Sequence, residues 1–122
     1  MIDHVRAATL AVDLEHVPAG QVVDGSPMTG VAELGGFGGV EVGVWEMTAG
    51  AMSDTEADEV FVVIAGSAEV EFLDTGEIRL FAAGDVARLQ AGQRTVWRVS
   101  ERIRKVYVVP QPPIEERQTQ PR

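Results

Sequence analysis

The sequence predicts an all-β single domain, a sandwich or barrel of short antiparallel strands. Three observations carry this reading. The longest apolar run, Val60-Phe61-Val62-Val63-Ile64-Ala65, is dominated by β-branched residues and is too short to span a membrane. Turn glycines recur at Gly66, Gly76, Gly84 and Gly92, a spacing that alternates short strands with tight turns. No segment carries a helical apolar stripe, and a chain of 122 residues suits one core.

Taken in order, residues 1–24 mix apolar and polar side chains without clean periodicity and read as an N-terminal arm. Within it, Ala11 to Leu14 fits a short strand or a helical turn, and Pro18-Ala19-Gly20 is a break. Gly25-Ser26-Pro27 marks a turn. Gly35-Gly36-Phe37-Gly38-Gly39 reads as a loop, because no strand-then-helix context makes it a phosphate cradle. Strands are expected over Val40–Thr48, Glu59–Ala65, Ser67–Leu73, Glu77–Ala82, Val86–Leu89, Thr95–Val99 and Ile103–Val109. Asp74-Thr75-Gly76 supplies a hairpin turn, since glycine tolerates the positive φ that short hairpins need. The barrel is expected to occupy residues 25–109. Residues 110–122, with Pro110, Pro112, Pro113 and Pro121 among polar residues, read as a loose tail.

Composition excludes several functions. The net charge of −9 and the pI near 4.6 repel a phosphate backbone, so no nucleic-acid partner is expected, and an anionic membrane surface is disfavoured. The absence of Cys removes disulfides, zinc–thiolate sites and thiol nucleophiles. The N-terminus, Met1-Ile2-Asp3-His4, does not read as a signal peptide, so the cytoplasm is the expected location.

Motifs narrow the fold. Glu59 followed by six residues and Gly66 resembles the second half of the first cupin motif. Gly84-Asp85 followed by Gln90-Ala91-Gly92 resembles the second, with Gln90 in the usual proline position. Gly43 to Gly50, Thr95-Val96-Trp97 and Arg104 to Val108 are similar to the cupins typified by ureidoglycine aminohydrolase and the ethanolamine-utilisation cupin. The resemblance covers about residues 25–109. It implies a jelly-roll-like conical antiparallel β-barrel, commonly a homodimer, with one face of the Glu59 strand inside and the other packed on neighbouring structure. It also implies where metal ligands would stand. Counting back from Glu59, the histidine pair falls at Ser53 and Thr55, or at Met52 and Asp54 in a longer spacing, and the third histidine falls at Thr95. None is His, and His4 and His16 lie in the arm. A transition metal wants three or four converging donors, so no metal cofactor is expected.

Glu59 is the candidate catalytic residue. Two readings stay open for it: a general acid or base with its pKa raised by the barrel, and a structural carboxylate paired with an Arg, Tyr or Trp donor. Trp45, Glu59, Phe61, Thr95, Trp97 and Tyr107 are the expected ligand-binding set, with aromatic walls and hydrogen bonds from Glu59 and Thr95. Asp54, Glu56, Asp58 and Glu59 read as a solvated acidic loop, without the glycine of a calcium loop. Arg88, Arg98 and Arg104 are expected in surface pairs. The leading function is a metal-free barrel holding a small polar or carboxylated molecule. The alternatives are a metal-dependent, aminohydrolase-like or isomerase-like enzyme using Glu59 with non-His ligands, and a non-catalytic structural or regulatory dimer with a filled barrel.

Overall fold

The computed structural model describes residues 4–111. Eight strands form one antiparallel sheet: β1 (Glu15–His16), β2 (Val22–Asp24), β3 (Met28–Phe37), β4 (Val40–Thr55), β5 (Glu59–Phe72), β6 (Glu77–Ala82), β7 (Val86–Leu89) and β8 (Arg94–Pro110). A single 3-10 turn at Ala19–Gln21 is the sole helical element among the described residues, and no helix is long and apolar enough to cross a membrane. The sheet order is β1-β3-β4-β8-β5-β6, with β2 added to β4 and β7 to β5. This is the expected all-β architecture of antiparallel strands.

The elements depart from expectation in instructive ways. The 24/25 boundary does not part the arm from the sheet, because β1 pairs with β3 and β2 with β4. Gly35, Gly36 and Phe37 belong to β3, and the turn is confined to Gly38 and Gly39, both at positive φ. Strands expected as separate pieces are continuous: β5 spans 14 residues and β8 spans 17. Their bends come from register shifts within the pairing rather than from chain breaks. Gly66 makes one such bend at φ 72°, where a Cβ would meet the Arg102 carbonyl oxygen at 1.8 Å, so no larger residue fits. Of the segment 110–122, Pro110 closes β8 and Gln111 follows it; the rest of the expected tail lies outside the described residues.

Period-2 alternation sorts the faces of β5 as expected. Phe61 and Val63 point inward and are buried, while Val60 and Val62 point outward. The expectation that the outer face packs on neighbouring structure is not met within the chain, since Val60 is 44 % and Val62 37 % exposed. Inside, Met47, Phe61, Val70, Leu89, Trp97 and Ile103 form one apolar core. Phe61 and Phe81 meet edge to face at 5.5 Å, and Trp45 and Trp97 at 5.4 Å, the arrangement that ring quadrupoles favour.

Arg104 corrects a surface assignment. It is buried on the side of β8 opposite the cavity, where its Nε donates to Glu46 Oε1 at 2.8 Å. Its Nη1 donates to the carbonyls of Ala7 and Leu10, both at 2.7 Å, and so fastens the N-terminal arm to the barrel. Arg98 keeps the expected surface pair, with Glu71 at 3.0 Å.

Candidate functional site

The inward side chains of β4, β5 and β8 converge on a cavity of about 190 Å³. Its walls are Val31, Trp45, Met52, Trp97 and Val109; its polar lining is Asp54, Glu56, Glu59, Lys105 and Tyr107. Of three wider concavities, about 280, 390 and 600 Å³, the two largest are lined mostly by exposed side chains. In the one of about 390 Å³, Arg79 is tied to Glu77 and Arg94 to Asp74. The smaller cavity is the one in which buried polar groups converge.

Strand register explains how the polar set assembles. Lys105 stands opposite Trp45 on β4 and Val63 on β5, and Tyr107 opposite Gly43 and Phe61. Lys105 and Tyr107 are two apart, so β8 turns both inward. The Tyr107 ring fits because Gly43 lacks a side chain; a Cβ there would lie 2.2 Å from the phenol oxygen. Asp54 follows Met52 at the same period on β4. Glu56 lies just past the strand, pinned by backbone bonds to Gln93 and Gly92, both at 2.8 Å.

Two carboxylates are anchored differently. Glu56 is buried, and its Oε2 accepts from Thr95 Oγ1 at 2.6 Å and Trp97 Nε1 at 2.9 Å. Glu59 Oε2 lies 2.6 Å from Lys105 Nζ. That contact is an ion pair without hydrogen-bond alignment: Glu59 Oε2 is the one fully buried side-chain polar atom among the described residues left without a directional hydrogen bond. Lys105 Nζ also sits 4.3 Å from the ring centre of Phe61, 4.6 Å from Trp45 and 4.8 Å from Trp97. An ammonium held by one carboxylate and three aromatic rings is stabilised on every side.

Electrostatics separates the remaining groups. Burial pushes the Asp54 carboxyl up from its ordinary 3.8, and the Glu56 charge adds to the rise. Burial also pushes the Tyr107 phenol up to about 12, helped by Glu33, Glu41 and Glu59, so the hydroxyl remains a donor at neutral pH. The raised Asp54 value has a consequence for stability. A carboxyl whose pKa rises on folding stabilises the fold below its unfolded pKa, and that stability is lost as pH climbs through the folded value. Asp54→Asn is therefore expected to be more stable than the parent at neutral pH, with the gain vanishing in acid below 3.8. Urea unfolding of both proteins at the two pH values checks this; a gain of equal size at both would refute it.

Of the expected binding residues, Trp45, Glu59, Trp97 and Tyr107 line the cavity. Phe61 does not line the cavity; its ring packs against the Lys105 ammonium, which does. Thr95 is fully buried and reaches the site only through Glu56. The acidic cluster is not the solvated loop expected: Asp54, Glu56 and Glu59 enter the cavity, and Asp58 alone stays outside, accepting from the Ala91 N–H at 2.9 Å. Glu59 pairs with Lys105, and the Trp donor expected for it serves Glu56 instead. Lys105 escaped the sequence reading, although its two-residue offset from Tyr107 placed it on the same face.

The chain matches the model of the EutQ-like cupin domain over residues 34–107. It belongs to that family. No curated protein sequence matches this cupin. Among solved structures, it is similar to the EutQ protein of Clostridium difficile at 18% identity, covering 88% of this chain and 85% of that one with a TM-score of 0.70. The protein assigned as ethanolamine utilization protein Q of Salmonella typhimurium aligns at 21% identity over 84% of this chain and 97% of its own, with a TM-score of 0.61. Ectoine synthase from P. lautus aligns at 20% identity over 66% of this chain and 62% of its own, with a TM-score of 0.59. Identities this low establish the shared fold and leave the chemistry to the site.

Cupin barrels are known for metal sites, so the donor set has to be tested. Of the two ligand spacings, Met52 and Asp54 face the cavity and Ser53 and Thr55 do not. Beside them stand a Glu56 oxygen bonded to Thr95 and Trp97 and a Glu59 oxygen touching an ammonium. Among the described residues no three His, Cys, Asp or Glu side chains are arranged to hold an ion. A thioether, committed carboxylates and a buried cation do not fit a divalent metal.

Proposed function

We propose that this cupin binds a small, uncharged polar molecule in the cavity between Trp45 and Trp97 without using a metal. The observation that carries the reading is the lysine ammonium at the cavity wall, already neutralised by Glu59, with Asp54 and Glu56 beside it. A free carboxylate would meet more negative than positive charge there, so this reading replaces a carboxylated ligand by a neutral one. The volume corresponds to about six water molecules at roughly 30 Å³ each, which sets the scale of the ligand. The Tyr107 hydroxyl offers a donor, the carboxylates offer acceptors, and the indoles supply apolar walls.

The chain's two tryptophans both line this cavity, so its intrinsic indole fluorescence reports the site alone. Titration with small aldehydes, ketones, amides and polyols is expected to give saturable changes and a matching rise in melting temperature, because a ligand bound only by the native state stabilises it. Saturation by carboxylic acids alone would overturn the reading. So would a stoichiometric metal that survives dialysis and is lost in Glu59→Gln.

The proposal extends to a cytoplasmic homodimer. Val60 and Val62 adjoin Val108 and Val106 on β8, and Val86 on β7, in an exposed apolar patch that a second copy would cover. Sedimentation should then show a dimer that Val62→Lys dissociates; a monomer at every concentration would refute this part.

A further inference from the structure

The chain carries nine arginines and one lysine, and that lysine is Lys105. Every cation outside the cavity is therefore a guanidinium, several of them in exposed ion pairs where lysine would serve equally well. A guanidinium cannot be deprotonated in a protein and is a poor nucleophile, whereas a primary amine condenses with carbonyl carbons. The one amine side chain has been placed in the one cavity where buried polar groups converge, against a carboxylate oxygen with no directional hydrogen bond of its own.

The geometry points to Lys105 as a nucleophile that captures a small aldehyde or ketone as a protonated imine, with Glu59 as the group that relays its protons. The inference rests on the proposed use of this cavity by a neutral polar molecule and names the class of that molecule. In the first step the Lys105 ammonium gives one proton to Glu59, 2.6 Å away, and the freed lone pair attacks the carbonyl carbon. A C–N bond forms, the C=O π pair moves to oxygen, the oxygen takes the proton that Glu59 holds, and the nitrogen returns its second proton to Glu59, which gives a neutral carbinolamine. In the second step the nitrogen lone pair closes C=N as the C–O bond breaks, and the hydroxyl takes the proton from Glu59 and leaves as water, which returns Glu59 to its carboxylate. The ammonium and the carbonyl compound thus give a protonated imine and one water, with no oxidant, reductant or net proton.

Three features of the cavity serve these steps. Tyr107 lies on the same lining, and its hydroxyl supplies a hydrogen-bond donor to the carbonyl oxygen and then to the leaving hydroxyl. The positive charge sits on the same nitrogen in the ammonium reactant and in the iminium product. The Trp45, Phe61 and Trp97 faces that stabilise the reactant therefore stabilise the product as well. Apolar walls exclude bulk water, which is the other product of the condensation and the agent of its reversal.

The test uses the intact chain with butyraldehyde and sodium cyanoborohydride, which reduces an imine to a stable secondary amine. Apart from Lys105 the only amine is the chain's α-amino group, so peptide mass spectrometry has two possible sites to separate. The expected result is saturable butylation of Lys105 that outpaces the α-amine, with the Lys105 rate lowered about a hundredfold in Glu59→Gln. Equal rates in parent and Glu59→Gln, with folding verified by circular dichroism, would overturn the role of Glu59. Saturable fluorescence quenching by butyraldehyde with an unmodified Lys105 would overturn the imine and leave the binding proposal standing. Labelling of the α-amine alone, with no fluorescence response, would overturn both.

Discussion

Lys105→Met is expected to destabilise the protein by about 3–5 kcal/mol, the range for removing one partner of a buried ion pair. The thioether roughly fills the space of the lysine stem, so the loss comes from Glu59, whose side chain is 13% exposed and would be left without a cation beside it. Lys105→Met/Glu59→Gln removes both charges and should recover most of the loss, since two apolar or neutral groups of similar shape are tolerated where half a pair is not. Chemical unfolding of the parent, both single variants and the double variant closes the cycle. A double variant as unstable as the sum of the singles would mean that the pair is not coupled and that the lysine stem is held by its aromatic contacts alone.

Arg104→Met should cost about 3 kcal/mol, at the lower end of the same range because Arg102 stands 3.5 Å from Glu46 and retains part of the compensation. Its distinctive signature is local. The Ala7 and Leu10 carbonyls lose their shared donor, so amide exchange across residues 4–14 should accelerate more than exchange in the strands. Tryptophan fluorescence should be unchanged, because Arg104 and Lys105 are adjacent and point to opposite sides of β8. Uniform acceleration across the barrel would contradict this assignment, since it would signal global loosening instead of a released arm.

Legibility of the fold and of the site differed for physical reasons. β-branched alternation, turn glycines and family motifs specify strands through local preference, and β4 to β8 follow from them, whereas β1, β2 and β3 were not expected. Strand length was less legible: Gly35, Gly36 and Gly66 resemble breaks in the sequence, yet β3 and β5 run through them because neighbouring strands hold their hydrogen bonds. At the site, aromatic residues were visible because a large apolar ring on a strand has to go somewhere dry. Glu56 and Lys105 were not, because a charge reads as solvated until its partner is known. Their partners lie at Thr95, Trp97 and Glu59, distances of 39 to 46 residues along the chain that no local pattern encodes. Arg104 was misread for the same reason, with Glu46 and the arm carbonyls far away in sequence.

The sheet order has a consequence for biosynthesis. β8 lies between β4 and β5, and it is translated after both. Until it emerges, two of the longest strands each present an unpaired edge, and the Lys105–Glu59 and Glu56–Trp97 links cannot form. Closing the barrel therefore waits on contacts of large sequence separation, which fold slowly and leave strand edges open to other chains meanwhile. The nascent protein is most vulnerable to aggregation just before β8 leaves the ribosome, and a chain cut short before Arg94 would stay in that state.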